Sequence, residues 1–106
     1  MIKIKNGVDV RGLHIKLWEA IYLLLPLFDS KNIELVITSG LEGNHGWGSL
    51  HYVGLAVDIR IRDYPFPDEL FNLIKEVLPK AYDVILEKTH IHIEYQPKTQ
   101  IEIINS

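Results

Sequence analysis

Two short segments of this chain contain four of its five histidines, together with two carboxylates. The first runs from His45 to Asp58 and includes His51, and the second runs from Glu87 to His92 and includes His90. Imidazole nitrogens and carboxylate oxygens are ligands that zinc accepts in proteins. A catalytic zinc site needs three such ligands, an open fourth position and a base that acts on water. The two segments contain enough groups for all of these roles.

Asp58 is the most informative of these groups because it interrupts a run of apolar residues, 55–61, that has the character of a strand. A buried carboxylate without a partner is costly, so a carboxylate in this position needs a cation. An ion pair with Arg60 or Arg11 is the alternative to metal ligation. A His-x-His repeat alone is a weak signal for metal, and the prediction depends on the coincidence of all these groups.

Hydrophobic periodicity assigns the elements that must position these side chains. Apolar residues at helical spacing predict helices over residues 13–30 and 67–78, and Pro26 should kink or terminate the first. A glycine-rich loop is expected over residues 39–49. Short runs rich in branched residues predict strands. These strands cover residues 33–38, 55–61, 82–87 and 90–95, with a weaker candidate at 101–104.

The last two predicted strands should form a hairpin that presents several of the candidate groups together. If Lys88 and Thr89 form its turn, Glu87 and His90 are neighbours across the strands, and His92 lies on the same face. Neither Lys nor Thr favours a tight two-residue turn, so a wider loop is the alternative. Asp58 can join these groups if its strand packs beside the hairpin.

Length and composition predict one α+β domain over residues 1–106, with a small antiparallel sheet packed against two helices. The net charge of −3 gives no basic surface for nucleic acid. Without cysteine, any metal must be bound by His, Asp and Glu. No secretory or membrane-spanning segment is visible, so a cytoplasmic location in the producing cell and no membrane partner are expected. We also expect a monomer.

Residues 36–40 (Val-Ile-Thr-Ser-Gly), 49–59 (Ser-Leu-His-Tyr-Val-Gly-Leu-Ala-Val-Asp-Ile) and 84–92 (Val-Ile-Leu-Glu-Lys-Thr-His-Ile-His) closely resemble the signalling domain of hedgehog proteins. The same pattern defines the hedgehog/D-alanyl-D-alanine peptidase superfamily. That superfamily includes D-Ala-D-Ala carboxypeptidases, D,D-dipeptidases and the L-Ala-D-Glu endopeptidases of phage lysins. The resemblance covers residues 34–95 in order, and its Ser-x-His-x-x-Gly-x-Ala-x-Asp core is a specific motif.

By position, the resemblance implies a zinc site with Glu87 as the catalytic base. The implied zinc ligands are His51, Asp58 and His92. His45 would line the site opposite the base, and His90 would face the substrate or support the ligands. Some members of the superfamily read Glu-x-x-His, which would make His90 the ligand. The His-Ile-His pattern instead selects His92, which is preferred because the surrounding residues match that branch better.

Residues near the ligand loop are candidates for substrate contact. They are Ser49, Trp47 and Tyr52. Packing is the alternative for Trp47, while Ser49 and Tyr52 could instead support the loop. The resemblance also implies a structural role for Gly54, by allowing close approach of the backbone.

The function implied by the resemblance is hydrolysis of peptide bonds in the stem peptides of bacterial peptidoglycan by a zinc-dependent peptidase. D-Ala-D-Ala carboxypeptidase and L-Ala-D-Glu endopeptidase activities are both open, as is a role as a phage lysis enzyme. Many carboxypeptidases of the superfamily carry an arginine soon after Ser-Gly, where this chain has Leu41 and Glu42. Arg11, Arg60 or Lys88 would then have to bind a terminal carboxylate.

The alternative function is that of a catalytically inactive, hedgehog-like binding module that contains zinc. Retention of Glu87 favours the enzyme, since a purely structural zinc site needs no base.

Overall fold

The structure is a computed structural model that describes residues 1–42, 50–62 and 64–96. It contains one five-stranded sheet and two helices, which confirms the predicted α+β class. The elements are β1 (Ile2–Ile4), α1 (Ile15–Ser30), β2 (Leu35–Ser39), β3 (Ala56–Arg60), α2 (Pro67–Val77), β4 (Tyr82–Leu86) and β5 (His90–Tyr95). A 3-10 helix over Leu50–Val53 precedes β3.

The strands lie in the order β1-β2-β3-β5-β4. The four strands predicted from the sequence, β2 to β5, pair antiparallel. The first strand, β1, was not predicted and pairs parallel with β2, which makes the sheet mixed. A strand of three residues is too short to give a recognisable alternation of apolar and polar positions. The candidate strand at 101–104 lies outside the described residues.

Helix α1 runs through Pro26 to Ser30, so proline does not terminate it. Proline removes one backbone hydrogen bond, but Leu24 and Phe28 on either side of it are fully buried and keep the last turn on the core. The chain leaves the helix at Asn32, whose φ of 55° is a left-handed conformation that asparagine tolerates after a helix end. Neither of the helices described by the structure is both long and apolar enough to span a membrane.

Strands β3 and β5 separate the core from the candidate site by simple alternation. One face of each strand is apolar, belongs to the core cluster and packs with α1 and α2: Val57, Ile59, Ile91 and Ile93. The other face carries the polar residues, with Asp58 paired to His92 and Arg60 paired to His90 across the two strands. Alternation along β3 thus separates apolar from polar side chains, and the site lies on the face of the sheet opposite the helices.

Candidate metal centre

Three of the predicted ligands meet at the centre of the sheet. Asp58 of β3 and His92 of β5 are cross-strand partners, which puts their side chains on one face. His51 reaches the same point from the 3-10 helix. The Oδ1 atom of Asp58 lies 2.9 Å from Nδ1 of His92 and 3.3 Å from Nε2 of His51. The two imidazole nitrogens are 3.1 Å apart. This trio could hold a metal ion, and we call it the metal cluster.

The geometry of the metal cluster fits a small divalent ion. A tetrahedral zinc site with bonds of about 2.0–2.2 Å has ligand atoms about 3.3–3.6 Å apart. The three ligand atoms are separated by 2.9–3.3 Å, within a few tenths of an ångström of that spacing. Two imidazoles and one carboxylate also leave a fourth coordination position for water or substrate. The cluster therefore matches the donors and the spacing of an open zinc site.

His51 is held in the tautomer that metal binding needs. Its Nδ1 lies 2.8 Å from the carbonyl oxygen of Gly40. Because a carbonyl oxygen can only accept, Nδ1 carries the proton and donates it, and in the neutral ring Nε2 presents a lone pair to Asp58. The side chain is only 3% exposed, so the ring has little freedom to turn away.

Two glycines allow the backbone to approach closely around His51. A Cβ atom on Gly40 would overlap the carbonyl oxygen of Asp9, and one on Gly54 would overlap the carbonyl oxygen of Gly12. Gly54 also has a φ of 75°, which other residues rarely adopt. The close approach implied for Gly54 is thus present. Residues 9–12 pack against both turns and fix the segments that carry the Gly40 carbonyl and His51.

Glu94 orients His92, and the sequence analysis did not identify it. Its Oε1 lies 2.8 Å from Nε2 of His92. An ionised carboxylate can only accept, so Nε2 donates and Nδ1 of the neutral ring directs its lone pair towards Asp58. A carboxylate behind a ligating histidine is a common way to fix the ring and raise its basicity. The available signal was the i, i+2 spacing in a strand, which puts Glu94 on the face of His92.

The metal cluster needs a positive charge. With Gly40 and Glu94 each accepting a proton from one ring, two neutral imidazoles and Asp58 would direct three lone pairs at one another. A metal ion or an additional proton relieves this repulsion. Burial raises the pKa of Asp58, but the hydrogen bonds that protonated rings of His51 and His92 donate to it outweigh burial and hold that pKa far below its usual value. The hydrogen bond to Asp58 raises the pKa of His92, against the opposing effect of burial.

Asp58 contacts histidines rather than either of the arginines considered as its partner. Arg11 instead pairs with Asp9, with its Nε 3.0 Å from Oδ1. The second carboxylate oxygen of Asp58, Oδ2, lies 3.7 Å from Nε2 of His90. His90 is thus farther from the carboxylate than His92 and outside the metal cluster. This geometry favours His92 over His90 as the third ligand.

Glu87 lies at the open end of the same face. Its backbone N–H donates to the carbonyl oxygen of His90 at 2.9 Å, so the two residues face each other across the turn formed by Lys88 and Thr89, as predicted. Alternation puts Glu87 and His92 on one face. The side chain of Glu87 is exposed, and within residues 1–42, 50–62 and 64–96 its carboxylate has no hydrogen bond or ion pair. It is therefore free to turn towards a ligand at the cluster.

Several predicted site residues lie outside the described part of the chain. They are His45, Trp47 and Ser49, and the side chain of Tyr52 is outside it as well. Their proposed contacts with substrate remain predictions.

Comparison of the chain with models of known protein families and with curated protein sequences finds no match.

Proposed function

We propose that this protein is a zinc-dependent peptidase that hydrolyses the stem peptides of bacterial peptidoglycan. The observation that carries the proposal is the convergence of His51, Asp58 and His92 within 3.3 Å of one another, with Glu87 on the same face of the sheet. The substrate class follows from the resemblance of residues 34–95 to the hedgehog/D-alanyl-D-alanine peptidase superfamily.

In the proposed reaction, the metal cluster activates the scissile carbonyl and the water, and Glu87 transfers the proton. A zinc ion bound there would supply a Lewis acid that polarises the scissile carbonyl and makes water acidic enough to lose a proton near neutral pH. Glu87 takes this proton as the general base and passes it to the leaving amine. Because no contact with a described residue restrains the Glu87 carboxylate, it can move between these two positions.

His90 is positioned to stabilise negative charge on the reacting carbonyl oxygen. Its Nδ1 lies 3.1 Å from the hydroxyl oxygen of Thr89. When that hydroxyl donates to Nδ1, the proton of the neutral ring resides on Nε2, which points towards Asp58. An N–H donor at that position borders the metal cluster and can bind a developing oxyanion.

Hydrolysis of defined muropeptides, followed by mass spectrometry, tests the proposal. The zinc-loaded protein is compared with Glu87→Gln and with Glu76→Gln, a matched change on an exposed position of α2. We expect cleavage by the wild type and by Glu76→Gln. Cleavage by Glu87→Gln should fall about 10²–10⁴-fold, the usual contribution of a general base. Zinc content should stay at the wild-type level in all three proteins.

Two outcomes would contradict the proposal. One is an intact peptide panel after incubation with protein that contains stoichiometric zinc. The other is equal cleavage by Glu87→Gln and the wild type, which would exclude Glu87 as the base.

The second candidate function is a zinc-containing binding module. It is favoured by one specific observation, namely that no described residue holds the Glu87 carboxylate against the metal cluster. A binding module would contain zinc and bind muropeptides without cleaving them. Its affinity for peptide would be unchanged in Glu87→Gln.

A further inference from the structure

A surface pocket of about 190 Å³ lies at the end of β3 that carries Arg60. Its lining consists of three cationic side chains and two hydroxyl-bearing ones. These residues are Lys5, Thr38, Arg60, Arg62 and Thr89. None of these described lining residues carries a carboxylate, although the chain as a whole has a net charge of −3. We call it the cationic pocket.

The cationic pocket is connected to the metal cluster through residues that neighbour Asp58 and His92. Arg60 follows Asp58 by two residues on one face of β3, which puts their Cα atoms about 6.6 Å apart. The hydroxyl of Thr38 donates to the backbone oxygen of Asp58 at 3.4 Å. On the opposite strand, Arg60 pairs with His90, whose ring contacts Thr89. The pocket therefore begins one residue pair beyond the metal cluster along the sheet.

Two of the cations in this pocket are available to an external anion. Within residues 1–42, 50–62 and 64–96, neither Lys5 nor Arg60 has a carboxylate at ion-pair distance. Four cations elsewhere are paired: Lys3 with Glu34, Arg11 with Asp9, Lys16 with Glu19, and Lys31 with Glu69. An arginine beside hydroxyl groups is well suited to a carboxylate, which it can bind through two parallel hydrogen bonds.

Residues 40–42, the described part of the loop that leaves β2 on another side of the metal cluster, offer no such cation. There the carboxylate of Glu42 accepts hydrogen bonds from the backbone N–H groups of Asp9 and Gly40, each at 2.8 Å. It also accepts one from the hydroxyl of Ser39 at 3.0 Å. Through these hydrogen bonds Glu42 stabilises the loop that carries the Gly40 carbonyl. Its negative charge would repel a carboxylate of a ligand. An anionic end of a ligand is drawn to the side of Arg60 instead.

We propose that the cationic pocket binds the C-terminal carboxylate of the peptide whose scissile carbonyl lies at the metal cluster. An extended peptide spans about 3.3–3.6 Å per residue. The separation of Arg60 and Asp58 therefore leaves room for one or two residues between the carboxylate and the scissile bond. The inference rests on the proposed peptidase function and makes the protein a carboxypeptidase, which removes one or two C-terminal residues.

The test compares a stem pentapeptide that has a free C-terminal carboxylate with the same peptide amidated at its C-terminus. Both are titrated calorimetrically into zinc-loaded Glu87→Gln protein, and cleavage by zinc-loaded wild type is followed by mass spectrometry. Arg60→Gln and Lys5→Gln are added to each background. Arg11→Gln is the matched control, because Arg11 is exposed and pairs with Asp9. Unfolding curves check that every variant is folded.

We expect the free acid to bind about tenfold or more tightly than the amide, through charge-assisted hydrogen bonds. Arg60→Gln should reduce this ratio to below about threefold, Lys5→Gln should reduce it less, and Arg11→Gln should leave it unchanged. Products of the wild type should lack one or two C-terminal residues. Equal affinity for acid and amide would overturn the inference, as would a ratio that survives Arg60→Gln.

The same data separate this inference from the proposed function. If the wild type cleaves the acid and the amide internally at equal rates, the peptidase function stands and the role of the cationic pocket is overturned. If the protein prefers the free acid in an Arg60-dependent way but the wild type does not cleave it, carboxylate binding by the cationic pocket stands and the peptidase function is overturned. Absence of both binding and cleavage would overturn both.

Discussion

The two faces of strands β3 and β5 are made of alternate residues of the same segments, yet they are stabilised differently. The face packed on the helices is apolar and completely buried: Val57, Ile59, Ile91 and Ile93. On the other face, Asp58 and His92 are bound to each other and to His51 through specific atoms. The stability of the apolar face depends on how well the volumes and shapes of its side chains fit together. The stability of the polar face depends on its charges and on which ring nitrogen carries a proton.

This contrast predicts that the two faces respond to substitution in different measurements. Changes on the apolar face should alter the free energy of unfolding of the metal-free protein. Changes on the polar face should alter metal affinity much more than folding.

Asp58→Asn should reduce zinc affinity more than about 100-fold, because partners behind the ligands already contribute 10–100-fold. Asparagine keeps the shape but loses the charge that balances a divalent ion. Zinc affinity is measured by competition with a chromogenic chelator. Asp83→Asn, on the same face and opposite Glu94, is the matched control and should bind zinc normally. Zinc binding by Asp58→Asn at the wild-type level would exclude Asp58 as a ligand.

Glu94→Ala should reduce zinc affinity about 10–100-fold, because His92 would lose the acceptor that fixes its tautomer. Glu94→Gln retains an acceptor oxygen and should lose less. The same competition assay measures both variants. The absorption spectrum of the cobalt-substituted protein reports whether the geometry around the metal changes. If both variants bind zinc as the wild type does, Glu94 has no role in orienting the ligand.

Ile59→Val should destabilise the metal-free protein by about 0.5–1.5 kcal/mol, since it removes one buried methylene group. The side chain is fully buried on the apolar face. Urea unfolding in the presence of a chelator gives the loss of stability. Zinc affinity of the folded protein should stay within about threefold of the wild type. A larger change in affinity would mean that the two faces are coupled through β3.

The smallest effect concerns pH and the metal-free protein. Because the folded pKa of His92 is raised, the protonated ring stabilises the fold fully below the unfolded pKa of about 6.5. This contribution is lost as the pH rises through the folded pKa. The melting temperature of the wild type relative to His92→Gln should therefore be higher at pH 6 than at pH 9, by a few degrees. A difference that does not depend on pH would contradict the raised pKa.

Most of the helices and strands could be predicted from the sequence, because hydrophobic spacing and residue type within each segment indicate its secondary structure. Runs rich in branched residues identified β2 to β5, and the expected hairpin of β4 and β5 put Glu87 and His92 on one face. Helix α1 was identified by its apolar spacing, although its passage through Pro26 was not. The strand β1 was missed because three residues carry no period, and its place beside β2 depends on contacts far along the chain.

The candidate site was predicted less completely, since residue types do not specify atoms. The sequence left His90 and His92 as competing ligands, and the register of β3 with β5 favours His92. It gave no reason to assign the Gly40 carbonyl as the group that orients His51, and the i, i+2 spacing put Glu94 on the face of His92 without showing that the two side chains bond. These contacts join residues from different elements, and their identity depends on packing rather than on local preference.

The amino-acid sequence by itself determined which chemical groups are present, how they alternate along each strand and that any metal must be bound by nitrogen and oxygen. Only the tertiary structure decided which nitrogen of each histidine faces Asp58, which carboxylate orients His92 and which cations border the metal cluster. The reason is physical. Alternation along a strand is a local property of the backbone, whereas a distance of 3 Å between side chains from separate elements exists only after the sheet has paired and the core has packed.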